Sequence, residues 1–247
     1  MKAVLLVGGL GTRLRPVVPQ LPKALASVGD RPFLELLVRQ LSWQGISQLV
    51  MCTGYMGKQI EQAFGDGSDL GMTIEYSEES VPLGTAGALK LAQRYIQHET
   101  EFLVLNGDSF LEIDFDELSH FHRQHGGVAT LAVVHVESAS RYGKVRIGTG
   151  GRILGFAEKT VQDSPGTINA GVYVFGSTVL AQIPKGSASL ERDVFPLLME
   201  QGIYAHEQRG MFIDIGIPED YARAKNIYDR LANAALNKHR LSFSHRI

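Results

Sequence analysis

The chain has 247 residues, with 24 Lys and Arg against 26 Asp and Glu, a single Cys and 44% apolar residues. A net charge of −2 excludes a strongly basic nucleic-acid surface, one Cys excludes an intrachain disulfide, and 44% apolar content suffices for a packed core. No apolar run reaches the roughly 18 residues that span a bilayer, so a cytoplasmic protein with no nucleic-acid and no membrane partner is expected.

Ala3–Val7 is a continuous apolar run and reads as a buried strand. Phe33–Leu41 carries apolar residues at helical spacing, with Pro32 in its first turn. Ile46–Cys52 is a second strand, Lys58–Phe64 a short helix, Met72–Tyr76 a third strand, Ala86–Ile96 a long helix and Phe102–Leu105 a fourth strand. This alternation predicts an α/β fold: a doubly wound, mostly parallel, Rossmann-like sheet with helices on both faces.

Beyond residue 127 the texture changes to a C-terminal mixed β/α elaboration. Val128–Val136, Gly143–Ile147, Ile153–Glu158 and Ile168–Phe175 read as strands, and Gly148–Gly151 as a hairpin connection. A helix near Leu190–Met199, short strands near Ile203 and Met211, and a helix from Pro218 to about Leu236 follow. No linker separates the halves. One domain is expected over 1–247, with a nucleotide half (1–127), a sugar-phosphate half (128–236) and a polar tail (237–247).

The first strand runs through Leu6 straight into Gly8-Gly-Leu-Gly-Thr-Arg-Leu-Arg15. Glycines there let backbone N–H groups approach a phosphate, and Arg13 can fork onto its oxygens. The dinucleotide fingerprint fails, because Leu14 stands where its third glycine belongs, and the Gly-Lys-Ser/Thr ending of a P-loop is absent. Pro82-Leu-Gly-Thr-Ala-Gly87 is a second glycine-rich turn, at a helix start. Asn106-Gly107-Asp108 ends a buried strand in a carboxylate, where ligands of open α/β sheets collect and where a hard cation such as Mg²⁺ fits. Asp214, in Phe212-Ile-Asp-Ile-Gly216, is a second strand-end carboxylate.

These stretches together resemble the sugar-1-phosphate nucleotidyltransferase family. Gly-Gly-x-Gly-Thr-Arg-Leu followed by Pro16 and Pro22-Lys23 matches its signature loop. The resemblance implies that Leu6, Gly8, Gly9, Gly11 and Thr12 cradle the triphosphate, with Arg13 and Lys23 as cationic partners. It implies base contact by Pro82, Gly84, Thr85 and Gly87, with Glu78 just before them, and nucleotide contact by Gly107. It makes Asp108 and Asp214 the ligands of Mg²⁺. Phe156-Ala-Glu-Lys159 resembles the Glu-Lys-Pro motif, with Thr160 in place of Pro, so Glu158 would meet sugar hydroxyls and Lys159 the sugar phosphate. Asn169-Ala-Gly171 resembles its Asn-Ala/Thr-Gly motif, and Asn106, Gly143, Asn169 and Gly171 complete the expected sugar side.

The implied partners are a nucleoside triphosphate and a sugar 1-phosphate, joined with release of pyrophosphate. Within the family, Leu105–Phe110, Phe115–Leu118 and Phe212–Tyr221 most resemble the short bacterial guanylyltransferases that use GTP and D-glycero-α-D-manno-heptose 1-phosphate. Mannose 1-phosphate with GTP is the next reading, then another hexose 1-phosphate with a pyrimidine nucleotide. The chain ends without the left-handed β-helix extension of larger members, which suggests a single catalytic unit, and a homodimer is the default assembly. His120, His122 and His125 read as a hydrated helix surface, and Cys52 as core. Glycine makes up about 11% of the chain, against a usual ~7%. The excess falls largely in these motifs, where backbone cleared for ligands is expected.

Overall fold

In the computed structural model, residues 1–157 and 163–236 are described. The first half runs β1 (Ala3–Leu6), β2 (Ser27–Val28), β3 (Arg31–Pro32), α1 (Phe33–Trp43), β4 (Gln48–Thr53), α2 (Gly57–Phe64), β5 (Thr73–Glu78), α3 (Gly84–Leu91), α4 (Gln93–Ile96) and β6 (Glu101–Asn106). The second runs β7 (Ser109–Leu111), α5 (Phe115–His125), β8 (Ala129–Val136), β9 (Lys144–Ile147), β10 (Ile153–Ala157), β11 (Gly166–Gly176), α6 (Val179–Gln182), α7 (Phe195–Leu198), β12 (Ile203–Gln208), β13 (Phe212–Asp214), α8 (Pro218–Asn226) and α9 (Tyr228–Ala235).

The apolar run of β1 is buried because both faces of the sheet are covered. Ala3 and Leu5 pack into one apolar layer and Val4 into the other, the period-two alternation of a strand. β1 pairs in parallel with β4 on one side and β6 on the other, and β4 pairs in parallel with β5. The chain therefore steps outward from β1 to β4 and β5, then returns across β1 to β6. The order reverses between β1 and β6, and ligands of such sheets bind beyond the strand ends at that reversal.

The sheet continues from β6 into antiparallel β11, whose other edge holds antiparallel β8, followed by β12 parallel to β8. β9 and β10 form the expected hairpin around Thr149–Gly151. The mostly parallel sheet with a mixed elaboration is thus the architecture observed. Among the described residues, no helix is long and apolar enough to cross a membrane.

Local expectations are corrected at several points. Pro32 is not in the first turn of α1: it ends β3 with φ −58° and ψ 141°, and Phe33 N–H donates to the Ala26 carbonyl at 3.0 Å. The helix expected over Ala86–Ile96 begins at Gly84 and breaks at Ala92. The helix expected from Pro218 to Leu236 breaks at Ile227 (φ −115°, ψ 17°), and α9 then packs Leu231, Ala234 and Ala235 into the layer that contains α1. His122 is not hydrated: it is buried, with Nδ1 3.0 Å from Thr130 Oγ1, and burial lowers its pKa. His125 stacks on Phe121 with ring centroids 3.9 Å apart. Cys52 is core, and burial pushes its thiol up to about 12.

Candidate active site

Two cavities open at the carboxyl ends of β1 and β6. The smaller, about 280 Å³, lies between the loop after β1 and the start of α3. Leu6, Gly8, Gly9, Lys23 and Asp108 line one wall, and Pro82, Gly84 and Thr85 the other, with Asn106 and Gly107 at its floor. The larger, about 980 Å³, is lined by Arg13, Gly143, Asn169, Gly171 and Asp214. Asn106 borders both cavities. Of the remaining expected residues, Gly11, Thr12, Glu78 and Gly87 line neither. Glu158 and Lys159, the missing Pro at Thr160, and the 237–247 tail lie outside the described residues.

Gly11 instead shapes the loop. Its φ is +60°, and a Cβ there would stand 3.2 Å from Lys23 Cβ, so the turn brings Lys23 alongside. Glu78 is exposed on the edge strand β5, and the next residue, Glu79, turns into the smaller cavity. Glu79 Oε2 accepts from Leu83 N–H at 3.1 Å, while Oε1 sits against Gly8 and Gly54. Burial raises its carboxyl above the usual range, and the Leu83 hydrogen bond opposes that shift. Of the two adjacent glutamates, Glu79 and not Glu78 lines the cavity, because β5 ends between them.

Asp108 and Asp214 are brought together by a short ladder. β7 pairs antiparallel with β13, Asp214 opposite Ser109, and Ile215 N–H donates to the Asp108 carbonyl at 2.9 Å. Asp214 Oδ1 accepts from Gly216 N–H at 2.6 Å. Lys23 Nζ forms an ion pair with Asp108. Burial works against charge on Asp108, yet the Lys23 ammonium and its hydrogen bond hold that carboxyl below the usual range. Asp214 is pushed up, by burial first and by the negative charge of Asp108 second.

Two partly buried carboxylates that repel each other fit a hard divalent cation. Among the described residues no third His, Cys, Asp or Glu joins them. That donor set suits Mg²⁺, which binds one or two carboxylates and takes its remaining ligands from water and phosphate.

On the larger cavity β11 carries a bulge between Asn169 and Tyr173. Asn169 Oδ1 accepts from Gly171 N–H at 3.0 Å and Nδ2 donates to the Tyr173 hydroxyl at 2.9 Å, fixing the amide at the rim. Arg141, Tyr142, Glu191 and Arg192 also line this cavity and were not expected. Arg141 and Tyr142 come from the irregular segment between β8 and β9, and Glu191 and Arg192 from a π-helical turn, Leu190–Val194, within the helix expected near Leu190–Met199.

The glycines divide by what surrounds them. At Gly9 an added Cβ would meet nothing within 4 Å. At Gly107 it would stand 2.4 Å from Val7 Cγ1, and at Gly87 2.4 Å from the Gly186 carbonyl oxygen. Gly87 and Gly107 therefore also serve close packing, and Gly107 lines the smaller cavity as well.

A family model described as nucleotidyl transferase matches residues 2–230. The mannose-1-phosphate guanylyltransferase catalytic subunit beta of Danio rerio is 39% identical over 92% of this chain and 64% of that protein. The mannose-1-phosphate guanyltransferase of Aspergillus oryzae is 36% identical over the same shares, 92% and 64%. The chain thus spans just under two thirds of the length of these curated relatives. Among solved structures, HddC from Yersinia pseudotuberculosis complexed with GMP-PN superposes with a TM-score of 0.82 at 30% identity, covering 92% of this chain and 99% of that one. A putative glucose-1-phosphate thymidylyltransferase from Bacillus anthracis, at 23% identity and a TM-score of 0.83 over 92% of this chain and 94% of that one, shares the fold.

Proposed function

Because the chain belongs to the nucleotidyl transferase family, we propose that it joins GTP to a manno-configured sugar 1-phosphate and releases pyrophosphate. The smaller cavity takes the nucleotide and the larger the sugar phosphate. Residues 1–236 act as one catalytic unit with a nucleotide half and a sugar-phosphate half.

The observation that carries the choice of base is Glu79. A carboxylate only accepts hydrogen bonds. Guanine offers adjacent N–H and NH₂ donors on one edge, which a carboxylate can meet with both oxygens. Uracil and thymine place a single N–H between two carbonyl acceptors, which the same carboxylate repels. For the sugar, the motif resemblance favours the heptose, but relatives 36–39% identical are named for mannose 1-phosphate. Mannose 1-phosphate is therefore ranked first and the heptose second.

In the reaction a phosphate oxygen of the sugar attacks the α-phosphorus, forming a new P–O bond. The bond from the α-phosphorus to the bridging oxygen breaks, and pyrophosphate leaves with its electron pair. The nucleophile is already ionised, so no general base is needed. Asp108 and Asp214 would hold Mg²⁺, which when bound would neutralise charge on the phosphate oxygens. Arg13 and Lys23 stabilise the charge that accumulates on the leaving pyrophosphate. Lys159 keeps the role the resemblance gives it, orienting the attacking phosphate.

Pyrophosphate release over a panel of nucleoside triphosphates, each with mannose 1-phosphate, tests the base assignment. GTP is expected to exceed UTP and dTTP. A preference for a pyrimidine nucleotide would overturn the role given to Glu79 but leave the reaction class standing.

A further inference from the structure

The two cavities share a seam. Ala188 N–H donates to the Leu83 carbonyl at 2.8 Å, and the Ala188 carbonyl accepts from Ala86 N–H at 2.9 Å and Gly87 N–H at 3.2 Å. Thr85 Oγ1 accepts from Leu190 N–H at 2.8 Å and donates to Glu191 Oε2 at 3.4 Å. Ser189 Oγ donates to the same Glu191 oxygen at 2.8 Å. Gly84 permits this approach: its φ is +70°, and a Cβ there would stand 2.6 Å from the Ala188 carbonyl oxygen. The first turn of α3, which lines the smaller cavity, is thereby locked to Leu190–Val194, a single π-helical turn at the larger one. Such turns recur at functional sites.

Glu191 is left half engaged. Oε2 takes both hydroxyl hydrogen bonds, and Oε1 has no hydrogen-bond partner among the described residues while the side chain lines the larger cavity. We propose that Glu191 is a specificity residue for the sugar, accepting hydrogen bonds from ring hydroxyls, and that Thr85 is its positioning residue, acting from the nucleotide side. This rests on the reading of the larger cavity as the sugar-phosphate site. A carboxylate attracts hydroxyls and repels phosphate, so Glu191 sets the ring toward itself. Thr85 thus belongs to both substrates, although its sequence position suggests the nucleotide alone.

The test is steady-state kinetics with GTP and mannose 1-phosphate on the wild type and on Glu191→Gln, Thr85→Val and Thr85→Ser, with thermal unfolding in parallel. Glu191→Gln is expected to raise KM for the sugar phosphate by about tenfold or more, as for a lost charge-assisted hydrogen bond, with KM for GTP within about threefold. Thr85→Val is expected to raise the sugar KM in the same direction, and Thr85→Ser to restore it. Glu191→Asp keeps the charge but withdraws it by one methylene, and serves if Glu191→Gln does not fold; the same split between the two KM values is expected. Unchanged or parallel KM values in the Glu191 variants overturn the proposal, as does a Thr85→Val effect confined to GTP. A wild type that releases no pyrophosphate with any pair overturns the cavity reading and this inference together. Normal wild-type turnover without the KM split overturns the inference alone.

Discussion

Lys23 and Asp108 stand 85 positions apart in sequence and form an ion pair in the lining of the smaller cavity. The loop after β1 delivers the cation and the end of β6 the carboxylate. Lys23 therefore neutralises, in the free protein, the carboxylate proposed to hold a metal. A divalent cation that took over that charge would release Lys23, which lines the cavity, to meet a phosphate oxygen.

Asp108→Asn is expected to lower kcat by about a hundredfold or more, the scale for losing a preorganised charge at a reacting phosphate. Thermal stability should fall only slightly, because the side chains of Lys23 and Asp108 are 19% and 23% exposed and the freed ammonium can reach water. Measuring kcat beside the unfolding temperature decides it. Parallel collapse of both would make Asp108 a structural residue.

Glu79→Gln converts an acceptor-only group into one that both donates and accepts. The expected result is a fall in kcat/KM for GTP of about a hundredfold, with UTP or dTTP gaining relative to GTP. An unchanged ratio of GTP to UTP would remove Glu79 from base selection.

Gly107→Ala and Gly9→Ala should fail in different ways. At Gly107 the new methyl meets Val7 Cγ1 at 2.4 Å and the Leu6 carbonyl oxygen at 3.0 Å, an overpacking that costs about 1–3 kcal/mol. At Gly9 nothing lies within 4 Å. Unfolding temperature should drop for Gly107→Ala and hold for Gly9→Ala, which is expected to weaken only nucleotide binding.

Periodicity was sufficient for the parallel half, because continuous apolar runs such as Ala3–Val7 are buried on both faces and leave little alternative. The two carboxylates were legible from short motifs instead: Asp108 stands in the turn between β6 and β7, and Asp214 closes β13. The pairing of β7 with β13, which brings them together, was not, because three-residue strands carry no period. Glu191 and Arg141 were illegible for a related reason. Arg141 sits on irregular backbone and Glu191 on a helical turn that matches no motif, and the seam through Thr85 is made by a side chain and by backbone groups far away in sequence. The helix breaks at Ala92 and Ile227 also left no Gly or Pro to mark them.

His122 gives a pH signature. Burial holds its folded-state pKa below the ordinary value. The unfolded chain therefore takes up the proton first as pH falls. Stability is full above the unfolded pKa of ~6.5 and is lost as pH falls through the folded one. His122→Gln should flatten the decline in unfolding temperature between about pH 7 and pH 5 relative to wild type. An identical slope in both proteins would show that His122 does not titrate in that window.

The most direct test is to incubate the wild-type protein with GTP, mannose 1-phosphate and Mg²⁺, and to identify the products by mass spectrometry. The expected products are a guanosine diphosphate sugar and pyrophosphate in equal amounts, formed only when both substrates and the metal are present. Pyrophosphate released without a sugar nucleotide, or no product with any pairing of nucleoside triphosphate and sugar 1-phosphate, would contradict the proposed function.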